Sequence, residues 1–400
     1  VLTNRGLRQR HLGELAILIA AGTFEIEAVQ RVSGHDQATQ QEDVVGLAVA
    51  RGVETPAAVV VQRHVVQCPC RYGDGVARLL ERETVSAVAG ERTIVNIPLP
   101  GLYTETTVDM PVHVLHGRRE GPTLFVSAAV HGDEINGVEI VRRLLLQPQL
   151  KKIRGTLLVV PIVNVFGFHN QSRYLPDRRD LNRSFPGREM GSLAARLAHI
   201  FLNDVVMRAD FGIDLHTAAI HRDNLPQIRA DMSLESLGPL AKAFAAPVLI
   251  HSAPPEGSLR YSAAGDRVPI MVYEAGEALR FDEVSIRIGL RGIINVMREL
   301  GMISLKRKPP KPSAVLRSTS WVRAPSSGIA RMVARLGDMV SRGDVLAYVG
   351  DAGGQGEEPM PSPFDGVIIG RSNLPLVYEG EAIFHVGRTR QASLLEEHMD

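Results

Sequence analysis

The chain has 400 residues, 44% of them hydrophobic and 22% charged, with 45 Lys and Arg against 44 Asp and Glu. At roughly 100–200 residues per domain, that length predicts two or three domains with ample core. A formal net charge of +1 argues against a nucleic-acid or anionic-membrane surface. The longest N-terminal apolar run, "LAILIAAG", is too short to span a bilayer and lacks a signal-peptide layout.

Residues 1–90 carry no recognisable motif. "HLGELAILIAAG" and "DVVGLAVARGV" read as helices and "AAVVVQRHVV" as a strand. Cys68 and Cys70, in "HVVQCPC", are poorly placed for a disulfide, and with His64 alone beside them they lack the ligands of a zinc site. They read as reduced thiols, which fits a soluble cytoplasmic protein. The region has an unknown role, Val1 is compatible with an over-extended gene start, and residues 1–85 are expected to be dispensable for the fold that follows.

From about Thr93 the texture changes. "TTVDMPVHVLHG" alternates like a strand, while "TLFVSAAV" and "GTLLVVPIVNV" are continuous apolar runs suited to strands buried on both faces. Between those two runs, Ile135, Val138, Val141, Leu144 and Leu145 form one helical stripe. Then come "GSLAARLAHIFLNDVV" (helix), "FGIDLH" (strand), "LGPLAKAFAAP" (helix), "VLIHS" and "VPIMVYEAG" (strands) and "EVSIRIGLRGIINVMRELGM" (helix). This alternation predicts an α/β fold, a largely parallel or mixed sheet sandwiched by helices, over residues 91–305. Residues 306–320, rich in Pro, Lys and Ser, read as a linker. In 321–390 two glycine-punctuated halves repeat weakly, which suggests a small pseudo-symmetric β-barrel-sandwich domain.

The chemistry gathers at strand ends. His131 and Glu134 in "HGDEINGVEI" lie three positions apart, where an apolar strand gives way to a helix. His216 in "GIDLHTAAIH" also follows an apolar run. Two His and one Glu make the three-protein-ligand set of a catalytic zinc, with a fourth position open to water. Any one of them alone would read as an ordinary hydrogen-bonded residue; the three at the edge where α/β sheets place their sites read as a metal centre. Asp214, two positions before His216 on the same strand face, is a candidate to orient that imidazole from behind, with a structural role as the alternative. "SRYLPDRRDLNRSFPG" is too polar for a core segment, and its arginines suit carboxylate recognition. Glu274, ending the strand of "VPIMVYEAGE", is placed to act as the general base, and Glu277 is its competitor.

These pieces resemble the succinylglutamate desuccinylase/aspartoacylase family, relatives of the zinc carboxypeptidases. "HGDE", "DLNRSFPG", "DLHT" and "YEAGE" stand in the family's order and spacing, over roughly 95–390. The resemblance implies zinc held by His131, Glu134 and His216, with Glu274 as general base and acid. It implies that Arg173 polarises the scissile carbonyl and that Asn182 and Arg183 grip the substrate's carboxylate. Arg260 would match a second family arginine, and Tyr378 with Glu379 would help close the pocket.

The function expected is a zinc-dependent hydrolase that deacylates a small N-acyl amino acid, with no nucleic-acid or membrane partner and with homo-oligomerisation left open. The alternatives are a metallocarboxypeptidase on short peptides, an esterase, or a non-catalytic zinc or binding protein. The tail "LGDMVSRGDVLAYVGD" also resembles a biotinyl or lipoyl carrier fold. No lysine occurs between Pro312 and Asp400, so that segment cannot carry either group covalently.

Overall fold

The structure is a computed structural model that describes residues 59–61, 85–87, 90–265, 268–304, 313–354 and 356–389. The thiols Cys68 and Cys70, most of residues 1–90 and the linker residues 306–312 lie outside them. The first strands are β1 (Val59–Val61), β2 (Val85–Ala87), β3 (Arg92–Leu99), β4 (Val108–His116) and β5 (Arg119–Ala128). Next come helix α1 (Asn136–Leu145), β6 (Arg154–Val160), α2 (Val165–His169), α3 (Leu193–Asp204) and β7 (Phe211–Ala218). They are followed by β8 (Arg222–Ala230), α4 (Leu237–Phe244), β9 (Val248–His251), α5 (Leu259–Gly265), β10 (Ile270–Glu277) and α6 (Glu283–Glu299). The C-terminal part adds β11 (Ala314–Leu316), β12 (Thr319–Arg323), β13 (Gly328–Met332), β14 (Met339–Val340) and β15 (Val345–Gly350). It ends with β16 (Glu358–Pro361), β17 (Gly366–Ser372), β18 (Leu376–Val377) and β19 (Ala382–Arg388).

One mixed sheet runs in the order β12-β19-β17-β8-β10-β7-β5-β6-β4-β3. Its centre, β6-β5-β7-β10, is parallel. These strands are the continuous apolar runs of the sequence, because both their faces are covered. On β5, Leu124, Val126 and Ala128 face one core with α1, α4 and α6, while Phe125 faces the other with α3 and α5. Phe125 meets Phe201 of α3 edge-on, ring centroids 6.3 Å apart.

Local chemistry fixes the helix ends. Ser192 caps α3 by accepting from the Ala195 amide, and Asp282 caps α6 by accepting from Val284 and Ser285. Each such cap typically contributes about 1 kcal/mol. The buried stripe of α1 differs slightly from the sequence expectation. Gly137, Ile140, Val141 and Leu144 are buried, and Val138 and Leu145 pack at its margin.

Two features were not legible beforehand. "RDNLPQIRA" forms β8, a long strand antiparallel to β10. And β17 pairs with β8, so β17, β19 and β12 continue the large mixed sheet. The strands β16, β15, β13 and β18 form a separate sheet. Among the described residues, no helix is long and apolar enough to cross a membrane.

Candidate metal centre

β5 ends at Ala128, and the chain turns sharply. Ala129 takes the left-handed conformation (φ 52°), which costs energy for an L-residue and turns the backbone towards the sheet's edge. Gly132 follows His131 where the backbone of Gly167 passes. A Cβ on Gly132 would lie 2.0 Å from the Gly167 carbonyl carbon, so only glycine fits. The Glu134 amide donates to the His131 carbonyl at 3.2 Å, which closes the turn and sets both side chains just before α1. β7, parallel to β5, brings His216 to the same edge, and the side chains converge.

His131 Nδ1 lies 2.7 Å from Glu134 Oε1, and His216 Nδ1 lies 2.7 Å from Glu134 Oε2. One candidate ligand atom from each residue falls within 4.8 Å of the others, and all three residues are buried. The far side of each ring is also held. His131 Nε2 is 3.1 Å from Asp180 Oδ1, and His216 Nε2 is 2.7 Å from Asp214 Oδ2. Asp214 in turn accepts from Ser127 Oγ at 2.7 Å. Glu134 further accepts from the Thr217 amide and from Arg173 Nη1, each at 3.1 Å.

Burial alone would push the Glu134 carboxyl up, but His131 and His216 outweigh it and hold it well below the usual range. Burial likewise opposes charge on both imidazoles. Glu134 with Asp180 raises His131, and Asp214 with Glu134 raises His216 well above its ordinary value. Asp180, despite its burial, is held low by His131 and Arg173. So much charge at one buried point fits a cation. A divalent ion would take the place of the ring protons and satisfy both Nδ1 atoms and the carboxylate together. The carboxylate–imidazole pairs behind the rings are the usual support of such a centre.

Glu274 is the neighbour of His216 across the parallel β10–β7 ladder and shares its face. Its Oε2 accepts from Asn224 Nδ2 at 3.1 Å. Glu277 faces other work. It accepts from the His221 amide (2.9 Å) and Asn373 Nδ2 (3.0 Å) and pairs with Arg280 at 3.2 Å.

Arg173 stands against the cluster, bridging Glu134 to Asp180, whose Oδ2 lies 3.0 Å from Nη2. Asn182 Oδ1 accepts from the Leu259 amide at 2.9 Å, which ties the "DLNR" loop to the start of α5. Arg183 is exposed, with Nη1 on the Asn182 carbonyl at 2.6 Å. Arg260, on α5, has long contacts of 3.3–3.4 Å to Ser252. Burial pushes its guanidinium down, and Glu274 partly offsets that. Tyr378 follows β18, is 80% exposed, and its amide donates to Glu381. Glu379 sits beside it, with its amide on Ser327. Asp180, between His131 and Arg173, received no role from sequence. The available signal was its place in "RRDLNR", next to residues already singled out.

Residues 120–300 match the model of the succinylglutamate desuccinylase/aspartoacylase catalytic domain. That stretch, somewhat under half of the chain, resembles the family's catalytic domain. A deacetylase of N-alpha-acetyl-L-2,4-diaminobutyric acid from Halomonas elongata is 28% identical over 294 residues, 69% of this chain and 84% of the relative. The product-bound ectoine utilization protein EutE (DoeB) of Ruegeria pomeroyi is 25% identical, with a TM-score of 0.68 over 74% of this chain and 95% of that one. A succinylglutamate desuccinylase/aspartoacylase from Rhodobacter sphaeroides, 24% identical, shares the fold with a TM-score of 0.66 over 74% of this chain and 95% of that one. The family match covers β5 to α6, the stretch that supplies His131, Glu134, Arg173, Asp180, Asn182, Arg183, His216 and Glu274.

Proposed function

We propose that this protein is a zinc-dependent hydrolase that cleaves the acyl–amide bond of a small N-acyl amino acid. The observation that carries the reading is the convergence of His131 Nδ1, His216 Nδ1 and the Glu134 carboxylate, each ring backed by an aspartate. That donor set suits zinc with a position left open. When bound, the zinc would supply a Lewis acid for the acyl carbonyl and lower the pKa of water. The amide deacetylase named among the relatives supports the bond type.

The chain's own groups would do the rest. Glu274 takes the proton from the attacking water and returns it to the leaving amine. Arg173, beside Glu134, offers a guanidinium to the oxyanion as charge develops. Asn182 and Arg183 orient the substrate by its carboxylate; Arg183 is exposed and so open to an incoming anion. Arg260, with no carboxylate in hydrogen-bonding contact among the described residues, can take a second polar group of the substrate. Residues 91–305 would form the catalytic domain, and 321–390 a small barrel-sandwich domain that narrows access and bars polypeptides.

The test is a panel of N-acetyl, N-succinyl and N-formyl amino acids beside a long peptide and an ester, with release of free amine followed by chromatography. Release from an N-acyl amino acid, and not from the peptide, is expected. Turnover of the peptide alone would replace this reading with a carboxypeptidase.

A further inference from the structure

Among the described residues, one carboxylate oxygen of Glu274 is engaged and the other is not. Oε2 accepts from Asn224 Nδ2 and lies 3.1 Å from Arg229 Nε. The arginine approaches as an ion pair, since its Nε makes no hydrogen bond among the described residues. Among the described residues, Oε1 has no hydrogen-bond partner.

Both partners come from β8, the strand that sequence patterning did not show. Glu274 pairs with Gln227 and Gly276 with Asn224, and the register slips between the two pairs. Without that irregularity Asn224 and Gln227, an odd number of residues apart, would face opposite sides of the sheet. The slip turns Asn224 to the face of Glu274. The next strand makes room for it. Gly370 of β17 pairs with both Asn224 and His385 of β19. A Cβ on Gly370 would come 2.8 Å from Asn224 Oδ1 and 3.2 Å from the His385 Cβ. His385 is buried, stacked on Trp321 at 4.6 Å, and pushed down to about 4 by burial and by the nearby charge of Arg229.

We propose that Asn224 and Arg229 are positioning residues for Glu274: they hold its Oε2 and so leave Oε1 free to move a proton. The proposal rests on the reading of Glu274 as the general base. A carboxylate gripped at one oxygen by an amide and a guanidinium has one rotamer and one free oxygen. A displacement of about 1 Å in such a group costs on the order of a hundredfold in rate. Stability alone is a poor reason for the pair. The Arg229 and Glu274 side chains are 28% and 22% exposed, and partly solvated ion pairs contribute little.

Asn224→Ala, Arg229→Ala and Glu274→Gln are made in the zinc-loaded enzyme, together with Arg229→Ala in the Glu274→Gln background. Steady-state kinetics are read on an N-acyl amino acid that the wild type hydrolyses. Substrate affinity is read by calorimetry on the Glu274→Gln protein, and zinc content is measured throughout. Each alanine variant is expected to lower kcat by about ten- to a hundredfold, with KM within about threefold and zinc retained. In the Glu274→Gln background, Arg229→Ala should change neither the residual rate nor the affinity by more than about twofold, because its effect passes through Glu274. A raised KM with kcat kept would make Arg229 a substrate ligand and overturn the proposal. So would a full further loss of rate in the Glu274→Gln background, or loss of zinc in both alanine variants. If Glu274→Gln is inactive and both alanine variants are fully active, the positioning role alone falls. If Glu274→Gln itself stays within about tenfold of wild type, the base assignment falls and takes the positioning role with it.

Discussion

Each imidazole of the cluster is held between two carboxylates. Glu134 sits on the Nδ1 side of both, Asp180 behind His131 and Asp214 behind His216. Support of this kind is worth about 10–100-fold in metal affinity. Asp180→Ala and Asp214→Ala are therefore each expected to weaken zinc binding by about that factor in competition with a chelator, and unchanged affinity would leave them as packing residues. Glu274→Gln is expected to keep zinc and lose turnover by about 10²–10⁴-fold, since Gln preserves the shape but cannot accept a proton. Loss of zinc in that variant would make Glu274 a ligand. Arg183→Ala should raise KM more than Arg183→Lys, because Lys keeps the charge and loses the planar fork; equal, near-wild-type KM values would remove Arg183 from the pocket. His131, Glu134, His216 and Glu274 were legible because each follows an apolar run, where a charged group has little structural reason to be. Asp180 was visible only as one acid among arginines. Arg229 and Asn224 were hidden, because nothing marked their segment as a strand.

The helices of the sandwich declared themselves by their apolar stripes, and the parallel strands by runs without alternation. β8 did neither. Its Asp223, Asn224, Gln227 and Arg229 are polar, and Pro226 interrupts it. Two of them, Asn224 and Arg229, lie against Glu274, and the run of polar side chains removes the usual apolar signature. The turn between β5 and α1 is another element whose geometry outranks its composition. Gly132→Ala sets a Cβ 2.0 Å from the Gly167 carbonyl carbon and 2.1 Å from the Phe168 nitrogen, backbone atoms that cannot swing away. The substitution is expected to cost about 1–3 kcal/mol of stability, as overpacking does, and to weaken zinc binding by moving His131. A wild-type melting temperature with full zinc content would show that the turn yields without cost.

At the scale of the molecule, the C-terminal strands join the large mixed sheet through β17 on β8. Sequence texture suggested a break at the Pro- and Lys-rich stretch, and only pairing between distant segments shows the continuity. The seam carries a titratable group. Asp223 of β8 stands opposite Arg371 of β17, and burial, with the Asp282 carboxylate nearby, pushes it up from 3.8 to about 6. A folded-state pKa above the unfolded one means that the folded protein binds the extra proton between those values. Stability then falls as pH rises through that window, and the loss is complete above it. Asp223→Asn removes the penalty. Its melting temperature should exceed that of wild type at about pH 8 and converge with it near pH 4, and an equal gap at both would refute the shift. The central claim concerns the metal. The most direct measurement is hydrolysis of an N-acyl amino acid by the full chain before chelation, after it, and after zinc is returned. The account predicts that activity vanishes on chelation and returns with about one zinc per chain, the number that one three-ligand site holds. Undiminished turnover by the metal-free protein would contradict it.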